Sequence, residues 1–276
     1  AGRDDPEWVL KFARVAGYSE RFDNDERGLQ LARDAGGAVA AHAPRLVGRF
    51  NVDGVHASVE TFAAGKRLRD ALLMPGDRAA KLRLIERIGD WILALGRLTE
   101  APPETLRPEL DRLRNEVVPR WRDLGARSAL VDDLPPLAAV AQHNDLGAWN
   151  VVAQDDEFVV LDWENVRPAA LPLWDLLYFV GNALVLLAPE ELAKRMARLF
   201  AGETSLSPVL FSWLRRGADA AAVPLEAVPA IATLCWLSHS LSAGQHNVDI
   251  ATFTPPAGWQ RSRRPGFLVR GQRRDV

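Results

Sequence analysis

The sequence predicts an α+β protein of two lobes, a small N-terminal one built on strands and a larger, mostly helical one. Three observations carry this. Short strand-like runs around a single helical segment fill residues 1–65. From Lys66 onwards apolar residues recur at helical spacing, as in Leu82, Ile85, Ile88, Ile92 and Leu95. Between the helices lies a polar stretch, Gln142-His143-Asn144-Asp145-Leu146-Gly147-Ala148-Trp149-Asn150, followed by a predicted hairpin and Asp162-Trp163-Glu164.

In chain order, residues 7–14 predict a strand with Trp8, Leu10 and Phe12 on one face and Val9 and Lys11 on the other. Residues 24–35 predict a helix with Leu29 and Leu31 inside and Asp23 or Asn24 as its cap. Glu26 falls in its first turn, where a carboxylate suits the helix dipole. Residues 43–50 and 55–62 predict two strands around the turn Asn51-Val52-Asp53-Gly54.

Residues 66–251 make the helical lobe. Residues 77–98 form its first long helix, Ala101-Pro102-Pro103 breaks the chain, and a charged helix over 106–124 is interrupted near Pro119. A loop at Asp132-Asp133-Leu134-Pro135-Pro136 leads through 137–141 into the polar stretch. Residues 176–188 form a buried helix, too short for a bilayer and carrying Gly181 and Asn182. Further helices follow over 189–200, 208–216 and 225–241; their Trp213, Trp236, His239 and His246 suit a core better than a substrate pocket. Residues 252–276 are a Pro-, Gly- and Arg-rich basic tail with the composition of a disordered segment.

The chemistry concentrates in the polar stretch. Val151-Val152 and residues 157–161 predict two short strands joined by a turn through Asp155-Asp156, which returns Asp162 towards Asn150 with Asp145 at the mouth of the same cleft. Hard cations such as Mg2+ take oxygen ligands, few of them from protein when substrate phosphates supply the rest. Asn150 and Asp162 offer such ligands, leaving Asp145 to orient or deprotonate an attacking hydroxyl.

His143-x-Asp145-x-x-x-x-Asn150, then Asp162 beyond an apolar strand, resembles the aminoglycoside phosphotransferase family of kinase-like enzymes. The resemblance implies a two-lobed protein-kinase-like fold and ATP-dependent, Mg2+-dependent phosphorylation of a small-molecule hydroxyl. Asp145 would be the catalytic base, Asn150 and Asp162 the magnesium ligands, and His143 a structural residue of the loop. Lys11 would reach the nucleotide's phosphates, held by Glu26, with Asp25 a competing partner. Backbone groups around Glu60, Thr61 and Phe62 would hold the adenine where the segment Ala63-Ala64-Gly65-Lys66-Arg67-Leu68 joins the lobes. Asp175 would hydrogen-bond the catalytic loop's backbone, while Glu164 reads as a solvated carboxylate.

This sequence departs from the family pattern twice. Asn144 stands where Gly is common, which makes the turn less permissive without removing essential chemistry. A glycine-rich loop over the phosphates is expected on two strands ahead of Lys11, yet only ten residues precede it, so the sheet lobe reads as N-terminally truncated. The initial Ala, in place of Met, fits a trimmed chain; the alternative is a catalytically weak nucleotide-binding pseudoenzyme.

Bulk properties narrow the rest. The 276 residues are 48% hydrophobic and 25% charged, those of an ordinary globular protein. A net charge of −2 argues against nucleic acid or an anionic membrane as partner. The single cysteine, Cys235, excludes an internal disulfide, fits the cytoplasm and lies in an apolar run as a buried thiol. The Arg-rich end argues for a sugar or amino alcohol acceptor over a polycationic aminoglycoside. A metal-dependent hydrolase using His143, Asp145 and Asp162 is the rival reading, and it leaves Asn150 and Lys11 without a role.

Overall fold

Alternation in the N-terminal region produces an antiparallel three-stranded sheet of β1 (Trp8–Phe12), β2 (Leu46–Val52) and β3 (Val55–Thr61) in the order β1-β3-β2. The structure is a computed structural model that describes residues 6–14, 19–124, 126, 128–187 and 195–242. Asp53 and Gly54, at φ 53° and 82°, turn β2 into β3; two consecutive left-handed residues match the twist of a tight hairpin. Lys11 lies opposite Ser58, and Glu60 lies between Val9 and Leu46, so these residues share the sheet's inner face. Trp8, Leu10 and Phe12 are exposed on the outer face, so the apolar stripe of β1 is not its buried side.

Helix α1 (Glu20–Ala35) covers the inner face. It begins a turn earlier than the predicted residue 24, with Ser19 at its N-cap in place of Asp23 or Asn24, because Glu20 and Asp23 both suit its first turn. It ends at Gly36, whose φ of 69° favours glycine. Its buried stripe is Asp25, Gly28, Leu29 and Ala32, so an acid occupies one position of the core-facing row. The short α2 (Gly37–Ala41) leads to β2.

The chain then enters the helical part through β4 (Lys66–Arg67), which pairs with β6 (Val151–Gln154); β6 in turn pairs with β7 (Glu157–Val160) in the predicted hairpin. After α3 (Leu68–Leu73), the long α4 (Arg78–Leu98) starts where Asp77 accepts the Ala79 N–H at 2.8 Å, and buries Ile85, Ile88, Ile92 and Leu95. Helix α5 (Arg107–Arg112) continues as a widened turn over Leu113–Val117 and a tightened one over Val118–Leu124. Pro119, without an N–H, sits at that change of pitch. A short α6 (Ala129–Asp132) precedes β5 (Val140–Gln142), which pairs with β8 (Arg167–Ala170).

Helix α7 (Trp174–Leu186) is buried almost all round, and α8 (Arg195–Phe200), α9 (Ser207–Ala220) and α10 (Val228–Ser242) complete the described part. Cys235 is buried, and burial pushes its thiol pKa well up. Among the described residues no helix is long and apolar enough to cross a membrane. His246 and the basic tail, 252–276, lie outside them.

Gly28 is where α1 meets the helical part most closely. A Cβ there would stand 2.6 Å from Trp163 Cβ and 2.9 Å from the Trp163 carbonyl oxygen. In an exposed helix Gly→Ala stabilises by about 1 kcal/mol. Here Gly28→Ala is expected to destabilise by about 1–3 kcal/mol through overpacking, read as a lower urea midpoint with unchanged slope.

Candidate active site

The loop between β5 and β6 is held in shape almost entirely by backbone groups. Asp175, in the first turn of α7, accepts the N–H of His143 at 2.6 Å and that of Asn144 at 2.9 Å, one on each carboxylate oxygen. Burial pushes the Asp175 pKa up to about 7, against the pull of those two donors. Asn144 takes the left-handed conformation, φ 64°, that Asn tolerates better than other side chains with a Cβ. His143 is fully buried, and its Nε2 lies 2.8 Å from the Leu161 carbonyl oxygen, a contact that calls for the proton on Nε2. Burial lowers its pKa to about 4, so the ring is neutral, and Nδ1 is left to accept the Asp145 N–H at 3.4 Å.

Asp145 and Asn150 meet inside this loop. The Asn150 amide nitrogen donates to the Asp145 backbone carbonyl at 2.9 Å and to its carboxylate at 3.1 Å. That fixes which way the carboxamide points and turns its oxygen away from Asp145, available to a cation. Leu161 N–H donates to the Asn150 carbonyl at 2.8 Å, which seats Asp162 one residue beyond. Asp162 is left-handed, φ 65°, a strained conformation for a residue with a Cβ, and it lines a cleft shared with Lys11. Burial raises the pKa of Asp145, opposed by the Asn150 hydrogen bond and reinforced by the charge of Asp162; burial likewise raises that of Asp162. A carboxamide oxygen and a carboxylate fit a hard divalent cation that keeps water and phosphate oxygens as its other ligands.

Lys11 and Asp162 line one cleft of about 720 Å³, together with Arg14, Arg21, Phe22, Asp25 and Glu164. The Lys11 Nζ lies 3.0 Å from Asp25 Oδ2 and 2.7 Å from Glu60 Oε1. Burial lowers the Lys11 pKa, but the two carboxylates outweigh it and the net shift is upward. The other Asp25 oxygen accepts the Trp163 N–H at 2.9 Å, so one buried side chain joins the lysine to the residue after Asp162.

Two expectations need correcting here. Glu26 is not the partner of Lys11: it is exposed and pairs with Arg49 at 2.6 Å, because Asp25, not Glu26, shares the buried stripe with Leu29. Nor do the amides of Thr61 and Phe62 offer donors to an adenine. β3 is the central strand, so the Thr61 N–H goes to the Arg45 carbonyl and the Phe62 N–H to that of Glu7, both at 3.0 Å. The Glu60 side chain points inward, and the chain leaves the sheet only at residues 63–65.

Glu164 is paired, its Oε1 lying 3.1 Å from Arg21 at the cleft wall. Nothing in the sequence near Arg21 marks it as a cleft residue. On the opposite side of Asp145, Trp149 folds back over Gly147, where a Cβ would stand 2.3 Å from the indole. Trp149 meets Tyr178 edge-on, and Tyr178 stacks on His239 with centroids 3.5 Å apart, so His239 and the adjacent Trp236 belong to an aromatic cluster behind the loop. Trp213 is packed against the core.

A profile of the phosphotransferase enzyme family matches residues 1–211. None of the curated proteins compared matches the sequence. Among solved structures, the aminoglycoside phosphotransferase APH(3'')-Id from Streptomyces rimosus, in complex with ADP and streptomycin, is 17% identical; the match covers 84% of this chain and 87% of that one, with a TM-score of 0.47. APH(2")-IIa, in a ternary complex with streptomycin and ATP, is 12% identical over 90% of this chain and 86% of that one, with a TM-score of 0.49.

Asp175→Asn tests how the loop is held. The amide turns a donor towards one of the two backbone N–H groups, leaving it buried and unpaired. The expected loss is about 1–3 kcal/mol of stability, measured by urea unfolding.

Proposed function

The chain belongs to the phosphotransferase enzyme family, and we propose that it transfers the γ-phosphoryl group of ATP to a hydroxyl of a small molecule. One observation carries the reading: the hydrogen-bonded pair Asp145 and Asn150 is joined through the Leu161 N–H to Asp162, and Asp162 lines the same cleft as Lys11. Asp145 receives the hydroxyl proton as the oxygen attacks phosphorus, and the bond to the bridging oxygen of the leaving ADP breaks. The raised pKa of Asp145 makes it the better acceptor for that proton. Lys11 holds phosphate oxygens, with Asp25 fixing its position. Asn150, through its amide oxygen, and Asp162 hold Mg2+, which when bound neutralises phosphate charge. The backbone at residues 63–65, beyond β3, holds the adenine edge in place of the Glu60 to Phe62 segment.

The rival hydrolase reading needs His143 as a metal ligand. That ring is buried with Nε2 on the Leu161 carbonyl and Nδ1 on the Asp145 amide, so it has no nitrogen to give. As for the acceptor, the Arg-rich residues 261–274 that speak against a polycationic aminoglycoside lie outside the described part. Aminoglycosides therefore belong in the acceptor panel with sugars and amino alcohols.

Asp145→Asn is expected to lower transfer by about 10²–10⁴-fold while the melting temperature stays within a degree or two; full activity in this variant removes the assignment. ATP with Mg2+ is expected to raise the melting temperature of the wild type and not that of Asp162→Ala. An equal rise in both places the nucleotide elsewhere.

A further inference from the structure

Lys11 faces two carboxylates where one would balance it. Asp25 is fully engaged, with one oxygen on Lys11 and the other on the Trp163 N–H. Glu60 is only 3% exposed, and its Oε1 lies 2.7 Å from the ammonium in a poorly aligned contact, so its hold on Lys11 is chiefly one of charge. The charged groups facing Glu60 are Lys11 from β1 and Asp25 from α1, whose carboxylate is within hydrogen-bonding reach. Its neighbours across the sheet, Val9 of β1 and Leu46 of β2, are apolar.

With both acids ionised the trio carries a net negative charge, and the ammonium has none to spare for a phosphate. With a proton on Glu60 the trio is neutral, and the acid can donate to Asp25. We propose that Glu60 is a positioning residue for Lys11: protonated, it leaves the ammonium to the nucleotide's phosphates, and ionised, it holds the ammonium back. This rests on the nucleotide-binding reading above. Burial pushes the Glu60 pKa up to about 7, with Asp25 adding to the rise and Lys11 opposing it, so the two forms exchange near neutrality.

The test uses the full chain, wild type and Glu60→Gln, with MgADP and adenosine as probes between pH 6 and 8. Wild-type affinity for MgADP is expected to fall about tenfold over that range relative to Glu60→Gln, as one proton with a midpoint near 7 requires. Titration of ADP itself is common to both proteins and cancels in the ratio. Adenosine, lacking phosphates, should bind the wild type with no such dependence. Equal pH dependence in the two proteins, or an equal fall for adenosine, overturns the proposal while leaving the phosphotransferase reading intact. No nucleotide binding by either protein at any pH overturns both.

A ligand-free measurement checks the titration itself. The folded pKa of Glu60 lies above its ordinary 4.5, so the stability it contributes is complete below about 4.5 and is lost as pH rises through about 7. Glu60→Gln escapes that loss. Its melting temperature should therefore gain on the wild type from pH 5 to pH 8, and a constant difference overturns the proposal.

Discussion

Asp25 is 5% exposed and accepts from both halves of the molecule, the ammonium of Lys11 on one oxygen and the backbone N–H of Trp163 on the other. A buried carboxylate is tolerable only when paired and hydrogen-bonded, and removing one partner of such a group is strongly destabilising. The position of α1 is therefore tied at once to β1 and to the segment that carries Asp162. Gly28, three residues on, lets the helix backbone come close enough for the Trp163 contact to form. Trp163 itself is fully buried, with its indole N–H on the Val160 carbonyl, so the anchor for Asp25 is part of the core and not a mobile loop. The width of the cleft follows from these contacts.

Charge explains why such a cleft suits a nucleotide only in company. Asp145, Asp162 and Glu164 all have pKa values raised first by burial, and the charge of Asp162 adds to the rise at the other two. Lys11 is already neutralised by its own carboxylates, and Arg21 by Glu164. A polyanion entering alone would meet the carboxylates of Asp145 and Asp162 at short range, where the protein screens poorly, with Arg14 as a further cation at the cleft. On the proposed reading, oxygen atoms of Asn150 and Asp162 would give a divalent cation a place there, and the same cation would offset the phosphates.

How much of this the sequence disclosed depended on whether local pattern determined the contact. The hairpin of β6 and β7 was legible because two short apolar runs around an Asp-rich turn specify it without help from distant residues. The bond from Asp175 to the loop backbone was legible only through the family resemblance, since the residues alone read equally as a first-turn carboxylate stabilised by the helix dipole. The ribbon of β5 and β8 was not legible: two short runs paired across more than twenty residues carry no periodic signal. Glu26 was preferred for its place in a first turn; the buried row 25, 28, 29, 32 takes Asp25 at the spacings of three, four and seven that share a helix face, whereas Glu26 is two from Gly28 and six from Ala32. That the N–H groups of Thr61 and Phe62 are already taken was not legible, because main-chain donors are claimed by strand pairing, and pairing on both edges of β3 shows only once the sheet order is known.

The two walls of the cleft differ in how they are held. On the helical side, bonds to peptide groups fix every element: the Asp175 carboxylate clamps the N–H groups of His143 and Asn144, Leu161 N–H holds Asn150, and the Leu161 carbonyl holds His143. One residue, Leu161, thus sets Asp162 beside both Asp145 and Asn150, and Asp175 is the one carboxylate in that set of bonds. On the sheet side the placement of Lys11 depends on ion pairs, which respond to protonation and to any anion that competes for the ammonium. A wall fixed by peptide groups preserves the geometry of attack, while a wall fixed by charges can yield to phosphate. Differences in nucleotide affinity among variants should therefore trace to Lys11, Asp25 and Glu60, and differences in turnover to the loop from His143 to Asn150.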